Sequence, residues 1–193
     1  MQALLGFSAI IDRINRFVGQ QVSWLILVAV IVSTANAIIR KAFDSSSNAW
    51  LELQWYLFGA VFMLAAAYTL LTNEHIRIDV LSSNFKKSTR DKIDLVCHIL
   101  FLLPFCVLMI YLCVPWFYLT FLSGEMSANA GGLIIWPAKL LVLAGFIMLL
   151  AQCFSEIIKR YAIIIGAMDD PLADKPTPGV VKIDAENGGN ANA

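Results

Sequence analysis

Apolar positions along this chain gather into four long runs, and short polar segments separate them. The runs cover about residues 20–40, 49–72, 93–122 and 133–156. A helix of about 20 apolar residues is long enough to cross a hydrocarbon core of about 30 Å. The pattern therefore predicts an all-α integral membrane protein with four transmembrane helices. Two prolines in the third run, Pro104 and Pro115, are expected to kink its helix.

The segment before the first run has a different pattern. Within residues 4–18 the apolar side chains recur at helical spacing, and Asp12, Arg13 and Arg16 fall elsewhere on the helical wheel. This pattern predicts an amphipathic interfacial helix that lies flat on the membrane before the first span. A simple helical extension of the first span is the alternative.

Composition agrees with a membrane protein. Hydrophobic residues make up 59% of the chain and charged residues 15%, whereas a soluble domain carries about a quarter charged residues. The formal net charge is zero, so the electrostatic footprint of a nucleic-acid-binding protein is missing. Residues 1–165 are predicted to form the membrane domain. Residues 166–193 are rich in Pro, Asp, Gly, Asn and Ala, and are expected to form a disordered cytoplasmic tail.

The basic residues predict the orientation. With four spans, 11 of the 14 Lys and Arg residues fall on the side of the two termini and the 73–92 loop. The positive-inside rule therefore places both termini in the cytoplasm. In a bacterium, the two short hairpins at residues 40–50 and 122–136 would be periplasmic. Within the second hairpin, residues 123–132 (SGEMSANAGG) are expected to form a flexible loop.

Catalytic chemistry finds little support in these residues. The two histidines are His75 and His98, and the four cysteines stand alone in apolar runs without a CxxC pair. Haem ligation needs paired histidines, and redox thiols need exposed, low-pKa cysteines. The sequence therefore predicts no enzyme, no cofactor and no metal site. A membrane redox enzyme, linked to quinone or thiols, is kept as an alternative.

A transport path is also weakly indicated. Self-contained carriers show broken helices and polar groups near the membrane midplane, but residues 60–71 of the second span are almost all apolar. The charges lie at the ends of the spans instead. This distribution favours a helper or scaffold subunit over a pore, with a self-sufficient small carrier as the further alternative.

Several polar side chains at the span ends are expected to make contacts. Glu52 shares a helical face with Trp55, Tyr56 and Gly59. A charge below the headgroups is costly unless it is paired, so Glu52 is predicted to pair with Lys139 or Arg40. A solvated rim acid is the alternative.

Two further faces carry polar or small residues. In the first span, Ser33, Asn36 and Arg40 share one face, with Arg40 either packed on protein or reaching to the headgroups. In the fourth span, a stripe of Ala138, Gly145 and Gln152, with Glu156 one turn further on, suits close helix packing. Whether the stripe packs within this chain or against another is open. The tryptophans are expected to form an interfacial belt, comprising Trp50, Trp55, Trp116 and Trp136.

At this point the motifs suggest a family. Arg40 follows the first span, and the second span carries Trp50, Glu52 and Gly59 and ends in NEHIRIDVL at residues 73–81. The later segments are SGEMS at 123–127, GGL at 131–133 and WPAK at 136–139. Over about residues 5–160 the chain resembles the small membrane subunit (Q or DctQ-type) of tripartite ATP-independent periplasmic (TRAP) transporters.

The resemblance implies a division of labour in a bacterial inner membrane. A periplasmic substrate-binding protein captures the solute, and a large membrane subunit (M or DctM-type) carries the sodium and substrate sites and moves by an elevator mechanism. The small subunit, surrounded by membrane lipid, braces the scaffold of the large one, and a part in docking the binding protein is implied. The 123–139 segment is similar to the branch that imports organic acids.

The resemblance also implies roles for individual residues. Glu125 and Ser127 would lie near the docking surface for the binding protein. His75, Arg77 and Asp79 would be interface residues at the cytoplasmic edge, with an ordinary charge cluster as the alternative. The full set of expected structural or subunit-interface residues is Arg40, Trp50, Glu52, Tyr56, Gly59, His75, Arg77, Asp79, Trp136 and Lys139.

Overall fold

The computed structural model describes residues 1–44, 47–73 and 87–168, without the side chains of residues 87, 88 and 90. The elements are five α-helices: α1 (Gln2–Phe43), α2 (Asn48–Thr72), α3 (Lys87–Cys97), α4 (Leu103–Ser123) and α5 (Trp136–Ile164). A single π-helical turn, His98–Leu102, joins α3 to α4. Four helical stretches are long and apolar enough to cross a membrane, and the third of these comprises α3, the π turn and α4. The predicted all-α membrane fold is therefore confirmed.

The predicted interfacial helix over residues 4–18 is not a separate element, and this prediction is corrected. Helix α1 runs without a break through 42 residues, a length of about 63 Å. No proline occurs in this stretch, so no residue lacks the N–H that continues the helical hydrogen bonds. The structure agrees with the alternative prediction, in which residues 4–18 are a helical extension of the first span.

Helix α1 buries a stripe with a period of seven residues. Its buried positions include Ser8, Asn15, Val22, Ala29 and Asn36. Such a repeat keeps one face of a helix against its neighbours along the whole contact. The opposite face is exposed and apolar, with Leu4, Phe7, Ile10, Ile14, Phe17, Trp24, Ile31 and Ile38. The segment therefore turns Ser8 and Asn15 inward, whereas Arg13, Arg16 and most of its apolar side chains face outward.

Helix α5 is the centre of the fold. Among the described helices it packs against α1, α2, α3 and α4, and α1 and α2 also pack on each other. Small residues permit the close approaches, since a Cβ added at Gly145 would lie 2.8 Å from the Met63 Cβ. Gly19 of α1 similarly faces the ring of Tyr68 without room for a side chain. The predicted stripe on the fourth span therefore packs closely, and its partners at Gly145 lie within this chain.

The π turn has a local cause. Pro104 has no N–H to donate, and the preceding Leu103 N–H bonds to the carbonyl of His98, five residues back. This longer bond is the mark of a π turn, which commonly produces a sharp bend. At the other proline of the span, Pro115, α4 continues as an α-helix to Ser123.

Candidate functional site: polar contacts at the two ends of the helices

Glu52 fixes a loop at one end of the molecule, which we call the hairpin end because α1–α2 and α4–α5 are both connected there. Its side chain lies in the first turns of α2 and is 5% exposed. The carboxylate accepts hydrogen bonds from the Ser127 hydroxyl, from the Asn129 amide at 2.8 Å and from the Leu133 N–H at 2.6 Å. The predicted ion pair with Lys139 or Arg40 is therefore wrong. Three donors and the nearby helix N-terminus stabilise the carboxylate without a counter-charge.

The loop that Glu52 holds is a small ordered hairpin rather than the expected flexible segment. The Ser127 N–H bonds to the Leu133 carbonyl at 2.9 Å, and the Ile135 N–H bonds to the Glu125 carbonyl at 3.0 Å. Gly131 has a φ of +70°, which favours glycine. A Cβ at Gly132 would lie 2.7 Å from a Glu52 carboxylate oxygen. These two glycines therefore make the turn and the close approach possible.

Lys139 forms the ion pair at this end, with a different partner from the one predicted. Its side chain is buried, and its ammonium group bonds to the Glu125 carboxylate at 3.1 Å and to the Thr120 hydroxyl. The ammonium also lies 4.7 Å from the centroid of the Trp116 ring, which adds a cation–π attraction. The bonds from Lys139 and then Thr120 lower the pKa of Glu125 from its usual value. Lys139 thus joins the ends of α4 and α5.

Of the other residues predicted at the hairpin end, some make internal contacts and others are exposed. The Tyr56 hydroxyl donates to the Ile134 carbonyl at 3.1 Å, and the Trp136 ring packs edge-on against Phe121 with centroids 5.5 Å apart. Trp50 is exposed, and a Cβ at Gly59 would meet nothing within 4 Å. Arg40 is exposed at the end of α1. Tyr56 and Trp136 therefore serve the internal packing, whereas Trp50, Gly59 and Arg40 lie on the outer surface.

The opposite end of the molecule holds a buried polar network between α1 and α5, which we call the terminal-end network. Its members are Ser8, Asp12, Asn15, Gln152, Ser155, Glu156 and Lys159. The Asn15 amide donates to Gln152 at 2.7 Å, and Gln152 donates to Asp12 at 3.0 Å and to Glu156 at 3.1 Å. The hydroxyl groups of Ser8 and Ser155 lie 2.7 Å apart.

Lys159 offsets one of the two negative charges in this network. Its ammonium bonds to Asp12 at 3.0 Å and also to Glu156. Ser155 donates to the same Asp12 carboxylate at 2.6 Å. Low-dielectric surroundings make such a fully satisfied network a strong and specific contact. The network therefore fixes both the rotation and the height of α1 against α5.

A second buried ion pair joins α3 to α5. Arg160 donates to Asp91 at 2.7 Å, and Asp94 lies 3.6 Å from the same guanidinium. The side chains of Arg160 and Asp91 are both 8% exposed. Helix α5 thus carries the contacts that position both of its neighbours at this end.

Sequence reasoning missed the terminal-end network, although a signal was available. Asp12 and Asn15 lie four and seven positions after Ser8, so the three share one helical face. Gln152, Glu156 and Lys159 repeat this spacing on α5. Two matching polar stripes predict that the helices carrying them pack together. His75, Arg77 and Asp79, which were expected to mark this end, lie outside the described residues.

The polar side chains of the described residues mostly form contacts within the chain. In residues 1–44, 47–73 and 87–168, no group of three or more His, Cys, Asp or Glu side chains could hold a metal ion. Within the same ranges, every side-chain nitrogen or oxygen atom that is fully buried has a hydrogen-bond partner. Polar groups that satisfy one another in this way hold helices together.

Comparison with known proteins identifies the family. Residues 29–162 match the family model described as the DctQ component of tripartite ATP-independent periplasmic transporters. The matched range contains α2, α4 and most of α5. It also contains the contacts of Glu52 with the 124–135 loop and of Lys139 with Glu125. Neither the curated proteins nor the solved structures that were compared with the chain gave a significant match.

Proposed function

Because the chain belongs to the DctQ component family of tripartite ATP-independent periplasmic transporters, we propose that it is the non-catalytic small permease subunit of a sodium-coupled importer, bracing the scaffold of the large elevator subunit. The family implies a large DctM-type membrane partner and a periplasmic binding protein. The sodium coupling and the organic-acid substrate rest on the resemblance of residues 123–139 to one branch of the family. Both properties belong to the partners.

One observation carries the scaffold role: the buried charged side chains of the described helices all make their contacts within this chain. Glu52 holds the 124–135 loop, Lys139 holds Glu125, and Lys159 holds Asp12. A solute path needs polar groups that are free to replace a hydration shell. The described helices instead present apolar side chains outward, as a packing subunit requires.

The outward face of α1 is the surface that we assign to the large subunit. Asn15 and Asn36 are 21 positions apart in α1, which corresponds to about 32 Å and matches the hydrocarbon thickness. The helix continues for 13 residues before Asn15, and its exposed side chains there are Leu4, Phe7, Ile10 and Ile14. Apolar side chains beyond the hydrocarbon need a cover, and a larger membrane partner supplies one.

Co-purification tests this role directly. A tagged copy, extracted in a mild detergent, is expected to retain the large subunit, and uptake in liposomes is expected to need both membrane subunits and the binding protein. The double substitution Phe7→Glu and Ile14→Glu should abolish co-purification while the chain itself stays folded.

A matched control is Tyr161→Glu, because Tyr161 is an exposed side chain of the same end but lies on α5. This control should leave co-purification intact. Uptake by the chain alone would contradict the scaffold role and favour a self-sufficient carrier. A bound flavin or haem, visible in the absorbance spectrum, would favour a membrane redox enzyme.

The orientation and the docking role have their own tests. With both termini in the cytoplasm, reporter fusions at either terminus should be active only as cytoplasmic reporters. Glu125 is half exposed beside its ion pair with Lys139, so the surface of the 124–135 loop is available to the binding protein. Exchanging Met126, an exposed side chain of this loop, for Glu should raise the KM for uptake without loss of the large subunit.

A further inference from the structure

A cavity of about 530 Å³ opens at the hairpin end between the last turns of α1 and the first turns of α2. Its wall includes Ser33, Asn36, Arg40, Lys41 and Asp44 from α1 and its C-cap, and Leu51 and Gln54 from α2. Small-molecule sites in proteins typically measure about 300 to 1,000 Å³. The cavity is therefore large enough for a polar headgroup.

The charges of the wall favour an anion. Arg40 and Lys41 supply two positive charges, and Asp44 supplies one negative charge. Neither cation lies in an ion pair with a residue of the described ranges. An Arg beside a Lys is a common arrangement for binding phosphate. The excess of one positive charge matches a ligand that carries one negative charge.

Asn36 supplies a second, independent indication of a ligand. Its side chain lines the cavity and is only 7% exposed. Its amide makes no hydrogen bond to another side chain or to the backbone within the described part of the chain. Because every fully buried side-chain nitrogen or oxygen of these residues is bonded, the amide atoms of Asn36 are open to the cavity. An amide in this position can donate to one oxygen atom of a ligand and accept from another.

The position of the cavity along α1 favours the anionic headgroup of a lipid over a free anion. Asn36 lies in the last turns of the first apolar run, which covers about residues 20–40, and lipid headgroups are expected near the end of such a run. Ile38 and Leu51 beside the cavity are exposed and apolar, so acyl chains can follow these helices into the bilayer. Trp50, an aromatic residue typical of this depth, lies one residue from Leu51.

We propose that this cavity binds a phospholipid with one net negative charge and a hydroxylated headgroup, such as phosphatidylglycerol. Arg40 and Lys41 hold the phosphate. Asn36, Gln54 and Asp44 bond to the headgroup hydroxyls, and the carboxylate of Asp44 accepts from them. A lipid held in this way fills the space between α1 and α2 and stabilises the hairpin.

Native mass spectrometry tests the proposal on the full chain, released from nanodiscs of equal phosphatidylcholine and phosphatidylglycerol. The wild-type chain is expected to retain one phosphatidylglycerol in preference to phosphatidylcholine. Arg40→Gln with Lys41→Gln should reduce this preference by about tenfold, and Asn36→Leu should reduce it by a smaller factor. Thermal unfolding in the same nanodiscs checks that the variants fold.

The control is Arg13→Gln with Arg16→Gln, which removes two exposed cations from the opposite end of α1 and should leave the retained lipid unchanged. An equal loss in this control, or an unchanged preference in the Arg40 and Lys41 variant, overturns the proposal. Displacement of the lipid by millimolar inorganic phosphate or a dicarboxylate would show a site for free anions instead. These outcomes do not depend on whether the chain binds a large subunit.

Discussion

Glu52 shows how one carboxylate can organise a loop of twelve residues, 124–135, without an ion pair. Its two oxygens accept three hydrogen bonds, from Ser127, Asn129 and Leu133. Glu52→Gln should lower the apparent Tm of the purified chain by a few degrees, because the new amide NH2 must face either Leu133 or the other two donors. Differential scanning fluorimetry in detergent measures the shift.

Asn48→Ala provides a control for this substitution. Asn48 donates one exposed hydrogen bond to the Ala130 carbonyl at 2.9 Å, so its removal should change the Tm less. Equal shifts in the two variants would mean that the buried carboxylate contributes no more than an exposed contact.

Glu125 should make the hairpin end sensitive to acid. Its pKa lies below the usual value of about 4.5, because Lys139 and then Thr120 donate hydrogen bonds to its charged form. A group whose pKa is lowered by folding stabilises the folded state above its unfolded pKa, and this contribution fades as the pH falls through its folded pKa. The Tm difference between the wild type and Glu125→Gln should therefore be constant above about pH 5 and shrink below pH 4.5.

At the residue scale, sequence reasoning found the important positions more reliably than their partners. Glu52, Tyr56, Trp136 and Lys139 all make internal contacts at the hairpin end. The partner of Glu52 was predicted wrongly because a buried carboxylate can be stabilised by uncharged hydrogen-bond donors as well as by a cation. Here the donors are two side chains and one backbone N–H. Only the folded loop shows that the Leu133 N–H points at the carboxylate, since this depends on the turn at Gly131 and Gly132.

Two glycines in the helices, Gly145 and Gly59, offer a direct test of close packing. Gly145→Ala should lower the free energy of unfolding by about 1 to 3 kcal/mol, because the added Cβ would lie 2.8 Å from the Met63 Cβ and 2.9 Å from the Met63 carbonyl oxygen. Steric trapping or detergent unfolding, followed by circular dichroism, measures the change.

Gly59→Ala is the matched substitution, since a Cβ at Gly59 would meet nothing within 4 Å. Alanine is the better helix former by about 1 kcal/mol, so this variant should be as stable as the wild type or more so. If Gly59 contacts the large subunit, the same variant should weaken co-purification. A loss of stability at Gly59 in the isolated chain would contradict the packing described here.

At the element scale, hydrophobic run length predicted the four spans because each run is at least as long as the hydrocarbon core is thick. The continuity of α1 could not be derived in the same way. An amphipathic segment looks the same in sequence whether its polar face meets water or a neighbouring helix. The partners of Asp12 and Asn15 are more than 130 positions away along the chain, beyond the reach of any local pattern.

The whole molecule predicts a simple pattern of thiol reactivity. Cys97 is exposed, whereas Cys106, Cys113 and Cys153 are buried. In a mild detergent, a maleimide should therefore modify one thiol per chain within minutes, and all four after denaturation in SDS. Intact mass spectrometry counts the modified thiols.

Cys97→Ser supplies the control, since this variant should remain unmodified in the mild detergent. Rapid modification of Cys153 in the folded chain would show that the helices around α5 separate easily. Because Cys97 lies in the stretch that leads into the π turn, protection of Cys97 in the presence of the large subunit would place that partner against α3.

At this scale the sequence predicted the number of spans but not their arrangement. The second span carries motifs of the family resemblance at both of its ends. In the structure, however, α5 is the centre, since it packs against every other described helix and carries Lys139, Gln152, Lys159 and Arg160. The order of helices around a centre depends on long-range contacts, which run length does not encode.

The two polar ends of α1 also define a fixed hydrophobic length. Asn15 is bonded to α5 at one end, and Asn36 lines the cavity proposed for a lipid headgroup at the other, about 32 Å away. A thicker or thinner bilayer cannot be matched by sliding α1 without breaking the buried bonds of Asp12 and Asn15. The surrounding lipid must stretch or compress instead, at a cost that rises with each ångström of mismatch. Transport by the assembled complex should therefore be fastest within a narrow range of acyl-chain lengths.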